Sequence, residues 1–131
     1  GINTGLMIPQ YTAAALVSEN KVLCHPATAD SIPSSANAED HVSMGMLAAR
    51  KAADVAENLR TILAIEILTA YQALQFRRPL KPGVTVCEAL ARLEAVGLRP
   101  YHEDRVLYPD MQRIETLLME PEWLALVVAN P

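Results

Sequence analysis

The sequence predicts an all-α fold, with one long central helix and shorter helices flanking it. Three observations lead there. Apolar residues make up 51 % of the 131 residues, yet only 5 % are aromatic, and alanine and leucine supply much of the apolar share. That mixture suits close helix packing, whereas sheets favour β-branched and aromatic side chains. The stretch from Ser43 to Arg77 contains no proline and carries apolar residues at helical spacing. Prolines and glycines divide much of the rest into short segments of helical character.

In chain order, a first helix is expected over about 4–20, starting or bending at Pro9 and weakened at its start by Gly5. Residues 21–42 lose the periodicity and read as a long loop marked by Pro26 and Pro33. Loops of about twenty residues inside compact domains are commonly functional or disordered. The dominant helix is expected over 43–77. From Ile62 to Leu74 its apolar residues cover nearly the whole circumference, and a helix apolar all round is buried all round. Such a rod runs on the order of 50 Å, more than so short a chain can wrap. The missing wall must come from a partner or from further chain. A turn follows over Arg77–Pro82. Thr85 and Glu88 have capping-box spacing for a helix over about 86–96 that ends near Gly97. After a polar linker, Leu98–Tyr108, Asp110 is placed to cap a helix over 111–118, and Pro121 to open one over 122–129.

Charge and composition exclude several functions. The net charge is −4, and no basic cluster exceeds Arg77-Arg78, so nucleic-acid binding has little electrostatic support. The most apolar run, Leu59–Leu74, is interrupted by Arg60 and Glu66 and is shorter than the ~20 residues of a membrane span. No signal-peptide pattern stands at the N-terminal Gly1, and the acidic balance suits a cytoplasmic protein. Cys24 and Cys87 lack zinc-type spacing and read as two buried, reduced thiols. No metal site is expected. Charged residues are only 20 %, which again implies apolar surface buried against other chains or other parts of a longer protein.

The chemistry concentrates in Ser34–Gly45. A Glu39-Asp40-His41 run stands where an apolar helix begins, and partial burial there would raise a carboxylate pKa towards neutrality. On spacing alone, Asp40 caps the helix while Glu39 and His41 are solvated. His41 reads as a loop-orienting residue and His25 as a turn residue. Glu66 needs an interhelical partner if buried, Met7, Met44 and Met46 fill core space, and Tyr11 and Tyr71 pack on helix faces.

Ser35-Ala-Asn-x-Glu-Asp-His-Val-Ser-Met-Gly45 resembles the C-terminal signature of histidine ammonia-lyases, within the aromatic amino acid ammonia-lyase and aminomutase family. The runs Asn3–Lys21, Leu23-Cys-His-Pro-Ala27 and Ala56-Glu-Asn-x-Arg-x-Ile-Leu-Ala-Ile-Glu66 are similar to the same enzymes, and Glu103-Asp-Arg-x-Leu-Tyr-Pro-Asp110 is a weaker match. Several long motifs in the family's order are far more specific than one short pattern.

The resemblance implies a larger helical-bundle lyase, a cytoplasmic homotetramer with active sites built from several subunits. Its electrophile is a methylideneimidazolone, made autocatalytically from Ala-Ser-Gly. No such tripeptide occurs here. The chain is therefore expected to be a C-terminal segment that needs the remainder of the lyase, with no activity by itself. Glu39 matches the glutamate that contacts the substrate imidazole or amine and assists proton transfer. It points to histidine as substrate, converted to urocanate and ammonia. Ala38 replaces the family's usual glutamine, which leaves tyrosine ammonia-lyase and tyrosine aminomutase open as alternatives. A non-catalytic helical assembly module is the reading from a different class.

Overall fold

The proline-free run forms helix α2, Gly45–Gln75, of 31 residues. The computed structural model describes residues 2–29 and 31–128. Helix α2 starts two residues later than the expected 43 and ends two earlier than 77. At its start, Ser43 Oγ accepts a hydrogen bond from the Gly45 N–H at 3.2 Å. This satisfies one of the donors that a first helical turn leaves unpaired. The expected capping by Asp40 does not occur, because the helix begins five residues beyond it. At the other end the bonds tighten to three-residue spacing, with Phe76 N–H donating to Ala73 O at 3.2 Å and Arg77 N–H to Leu74 O at 3.1 Å. Pro79 can neither donate nor tolerate helical geometry at the residue before it, so the chain turns.

Helix α1, Met7–Leu23, starts later than expected and runs three residues further. Gly5 at φ +59 breaks the backbone before it. Pro9 lies in the first turn, where its missing N–H costs nothing. Helix α3, Val84–Ala95, also differs from expectation. Its N-cap is Gly83, without a side-chain bond, so Thr85 lies inside the helix and the capping box does not form. Its C-terminus follows the glycine rule: Gly97 at φ +96 donates to Glu94 O at 3.1 Å, and Leu98 N–H donates to Leu93 O at 3.1 Å. This pair of bonds is a Schellman motif, and Leu93 and Leu98 bury the accompanying apolar contact.

Helix α4, Tyr108–Leu117, begins with Leu107 as N-cap, so Asp110 does not cap it. Asp110 lies inside the first turn, 1 % exposed. It is paired with Arg105 at 2.5 Å and with Arg113 at 2.8 Å. A carboxylate at a helix N-terminus is favoured by the dipole, and the two guanidinium groups compensate its burial. Helix α5 is Pro121–Val128; position 129 of the expected 122–129 lies outside the described residues. Among the described residues there are five α-helices and no strand, in keeping with the all-α expectation.

The chain divides into two units. The first, over its described residues, combines Gly1–Ala13 with Arg60–Pro131. Ala64, Leu68 and Tyr71 of α2 pack there with Leu93 of α3, Ile114 of α4 and Trp123 of α5. The buried α2 positions 64, 65, 68, 71 and 72 form one stripe at three- and four-residue spacing. Burial pushes the Tyr71 hydroxyl pKa up, with the Glu94 carboxylate adding to the effect. The buried Gln72 ties the irregular linker to α2: its Nε2 donates to Tyr101 O at 2.8 Å, and its Oε1 accepts from Tyr101 N–H at 3.3 Å. Asp104 anchors the N-terminal segment, accepting from Thr4 N–H at 2.5 Å, Thr4 Oγ1 at 2.8 Å and Gly5 N–H at 3.0 Å. These bonds hold its carboxyl below the ordinary carboxylate range.

The second unit is Ala14–Leu59. Asn58 Nδ2 donates to Glu19 Oε2 and Asn20 Oδ1, each at 3.0 Å, fastening the two helical segments. Lys51 Nζ donates to the His25 carbonyl, fixing the start of the loop on α2.

Several expectations about individual side chains are overturned. Cys24 and Cys87 are exposed rather than buried. Tyr11, Met7 and Met46 are exposed, as are Leu59 and Leu63. Glu66 is exposed rather than held in an interhelical bridge. For the α2 residues Met46, Leu59, Leu63 and Glu66 the physical reason is that this chain covers α2 along one stripe only, so positions outside the stripe stay open. No helix among the described residues is long and apolar enough to cross a membrane.

Candidate functional site

The segment between α1 and α2 is closed at two levels. At the outer level the Ser31 hydroxyl bridges to Val42, donating to its carbonyl at 3.0 Å and accepting from its N–H at 2.9 Å. At the inner level Ser34 and Glu39 pair as an isolated antiparallel bridge. Ser34 N–H donates to Glu39 O at 2.9 Å, and Glu39 N–H donates to Ser34 O at 3.3 Å. The Ser34 hydroxyl then donates to the Glu39 carboxylate at Oε2, 3.1 Å away.

Between the paired residues the backbone turns with the wrong hand. Ser35, Ala36 and Asn37 have φ of +52, +54 and +68, and Ala36 has ψ of +41. This is the left-handed helical region, where a non-glycine residue costs roughly 1–2 kcal/mol and asparagine less. Three backbone bonds offset that strain: the two of the Ser34–Glu39 bridge and Ala38 N–H to Ser35 O at 3.0 Å. Each contributes about 1 kcal/mol net, so turn and strain come close to balance. Strained non-glycine backbone persists where surrounding bonds over-determine it, and it concentrates at functional sites.

Glu39, Asp40 and His41 are all exposed in this chain. Glu39 and His41 are thus solvated, as their spacing alone predicts, and these residues supply no partial burial for the carboxylate. The loop brings Glu39 together with Ser34, not with His41 or His25. Among the described residues no group of three or more His, Cys, Asp or Glu side chains could hold a metal ion. A hollow of about 360 Å³ in the first unit is lined by Thr4, Ile8, Tyr101, Asp104, Tyr108 and Met111, among others, and no residue of Ser34–Gly45 lines it.

Neither Ser31 nor Ser34 stands out in the sequence as a residue that closes the loop. Asn37 was the legible signal, since asparagine is among the few residues that enter the left-handed region readily. Nothing in the spacing shows that Ala36 follows it there.

The comparisons with known proteins come down on one family. The aromatic amino acid lyase model matches residues 1–95. The histidine ammonia-lyase of Anaeromyxobacter sp. (strain K) is 60 % identical over 120 residues, covering 92 % of this chain and 23 % of that protein. The crystal structure of histidine ammonia-lyase from Trypanosoma cruzi is similar with a TM-score of 0.91 and 46 % identity, over 98 % of this chain and 25 % of that one. Tyrosine aminomutase from Streptomyces globisporus follows with a TM-score of 0.86 and 31 % identity, over 98 % of this chain and 24 % of that one. The chain thus spans about a quarter of the length of the relatives it matches. With a helical fold shared at this level and a family match over 95 of its 131 residues, the chain belongs to the aromatic amino acid lyase family.

Proposed function

We propose that these residues are the C-terminal portion of a histidine ammonia-lyase, which converts histidine to urocanate and ammonia. The observation that carries this reading is Glu39, held on a doubly closed loop in a chain 60 % identical to a histidine ammonia-lyase. The reaction breaks the Cβ–H and Cα–N bonds of the amino acid and leaves a carbon–carbon double bond. A methylideneimidazolone formed from Ala-Ser-Gly, a tripeptide that this chain lacks, supplies the electrophile when the whole lyase is present.

The residues present fit a supporting role beside such a group. With Oε2 engaged by Ser34, Oε1 is the oxygen that would face the substrate. It accepts a hydrogen bond from an imidazole N–H or an ammonium group and stabilises an imidazolium. It can also take up a proton during the reaction. Water exclusion would come from the rest of the lyase, because Glu39 is exposed here. The partners are the remainder of the lyase chain and further copies in a cytoplasmic homotetramer, and the 131 residues by themselves are inactive.

Ala38 favours a second reading, in which the parent enzyme acts on tyrosine as a lyase or aminomutase. The 31 % likeness to a tyrosine aminomutase supports it less than the 46 % and 60 % likenesses support histidine. Assaying the complete lyase on both amino acids separates the two. Urocanate release from histidine with little turnover of tyrosine is expected; turnover of tyrosine alone would overturn the histidine reading.

A further inference from the structure

We propose that Ser34 is a positioning residue for the lyase reaction, orienting the Glu39 carboxylate through its side-chain hydroxyl. The inference rests on the reading of Glu39 as the substrate-facing carboxylate and adds a residue to it.

Glutamate has three side-chain torsions, and an exposed glutamate samples many rotamers. Glu39 is exposed, so packing in this chain does not select one. The Ser34 hydroxyl does: it donates to Oε2 at 3.1 Å. The donor is itself placed by backbone. Ser34 is extended at φ −133 and ψ 177, and both of its main-chain groups are bonded to Glu39. The left-handed run Ser35–Asn37 reverses the chain tightly enough to bring residues five apart face to face. Backbone bridge and hydroxyl together fix both ends of the glutamate.

The test is a double-mutant cycle in the complete lyase, with histidine as substrate. Ser34→Ala is expected to lower kcat about 10-fold with KM changed less than about 2-fold, because a misoriented group costs turnover more than ground-state binding. Ser34→Thr keeps the hydroxyl and suits an extended backbone, so it restores most of the activity. In a Glu39→Ala background, Ser34→Ala adds no further loss, since its effect passes through Glu39. Wild-type kcat in Ser34→Ala overturns the proposal. So does failure of Ser34→Thr to rescue, or an equal loss in the Glu39→Ala background, which marks Ser34 as a residue of loop integrity alone. Full activity of Glu39→Ala is a separate outcome that sinks the underlying role of Glu39, and the role of Ser34 with it.

Discussion

Ala36 occupies left-handed backbone at φ +54 and ψ +41 without the freedom of glycine. Ala36→Gly removes the strain and is expected to preserve turnover in the complete lyase. Ala36→Val places a β-branched side chain where it fits worst, and a loss of activity of about 10-fold or more is expected. Equal turnover of the two variants would show that the turn does not matter. Asp104 gives a pH prediction. Its folded-state pKa lies below the ordinary value of 3.8. Its contribution is therefore fully present above about pH 3.8 and is lost as the pH falls through the lower folded value. Protection of the Thr4 and Gly5 amides, measured against their intrinsic exchange rates, should fall in that acid window and hold steady above it. Glu39 stands out in the sequence because the motif around it is long. Ser34 does not, because its contact with Glu39 exists only once three consecutive residues turn left-handed.

Among the elements, α2 was the most legible, since a long proline-free stretch with helical periodicity leaves few alternatives. Helix starts were the least legible. Thr85 and Glu88 have capping-box spacing, but Gly83 starts α3 first, with Cys87 N–H donating to Gly83 O at 3.0 Å. Asp110 resembles an N-cap in sequence, yet Leu107 is the N-cap and Asp110 lies inside the first turn, paired with Arg105 and Arg113. The end of α3 was legible because Gly97 supplies the positive φ that a Schellman motif uses. Gly97→Ala is expected to cost roughly 1 kcal/mol and to speed amide exchange at Leu98. The nearest atom to an added Cβ would be Arg113 Nε at 3.9 Å, so the cost is conformational rather than steric. Gln72→Leu would leave both main-chain groups of Tyr101 without their partner. A local destabilisation of about 2 kcal/mol is expected, read as faster exchange of the Tyr101 amide with that of Ile114 unchanged.

For the molecule as a whole, the pattern of exposure matches a chain that spans a quarter of its relatives. Leu47, Leu59 and Leu63 of α2 are 48, 49 and 39 % exposed, and Met46 is 78 % exposed. Apolar surface of this kind marks interaction sites or association hazards. Expressed alone, the 131 residues should associate, and sedimentation of a stable monomer would contradict the need for further covering. The apolar surplus and low charge of the sequence are in keeping with this exposure. The central claim is that this chain contributes Glu39 to an ammonia-lyase active site. It is tested most directly by the turnover of histidine in the complete lyase carrying Glu39→Ala. A fall of about 100-fold or more in kcat/KM is expected from loss of a group that aids proton transfer; an unchanged kcat/KM would contradict the claim.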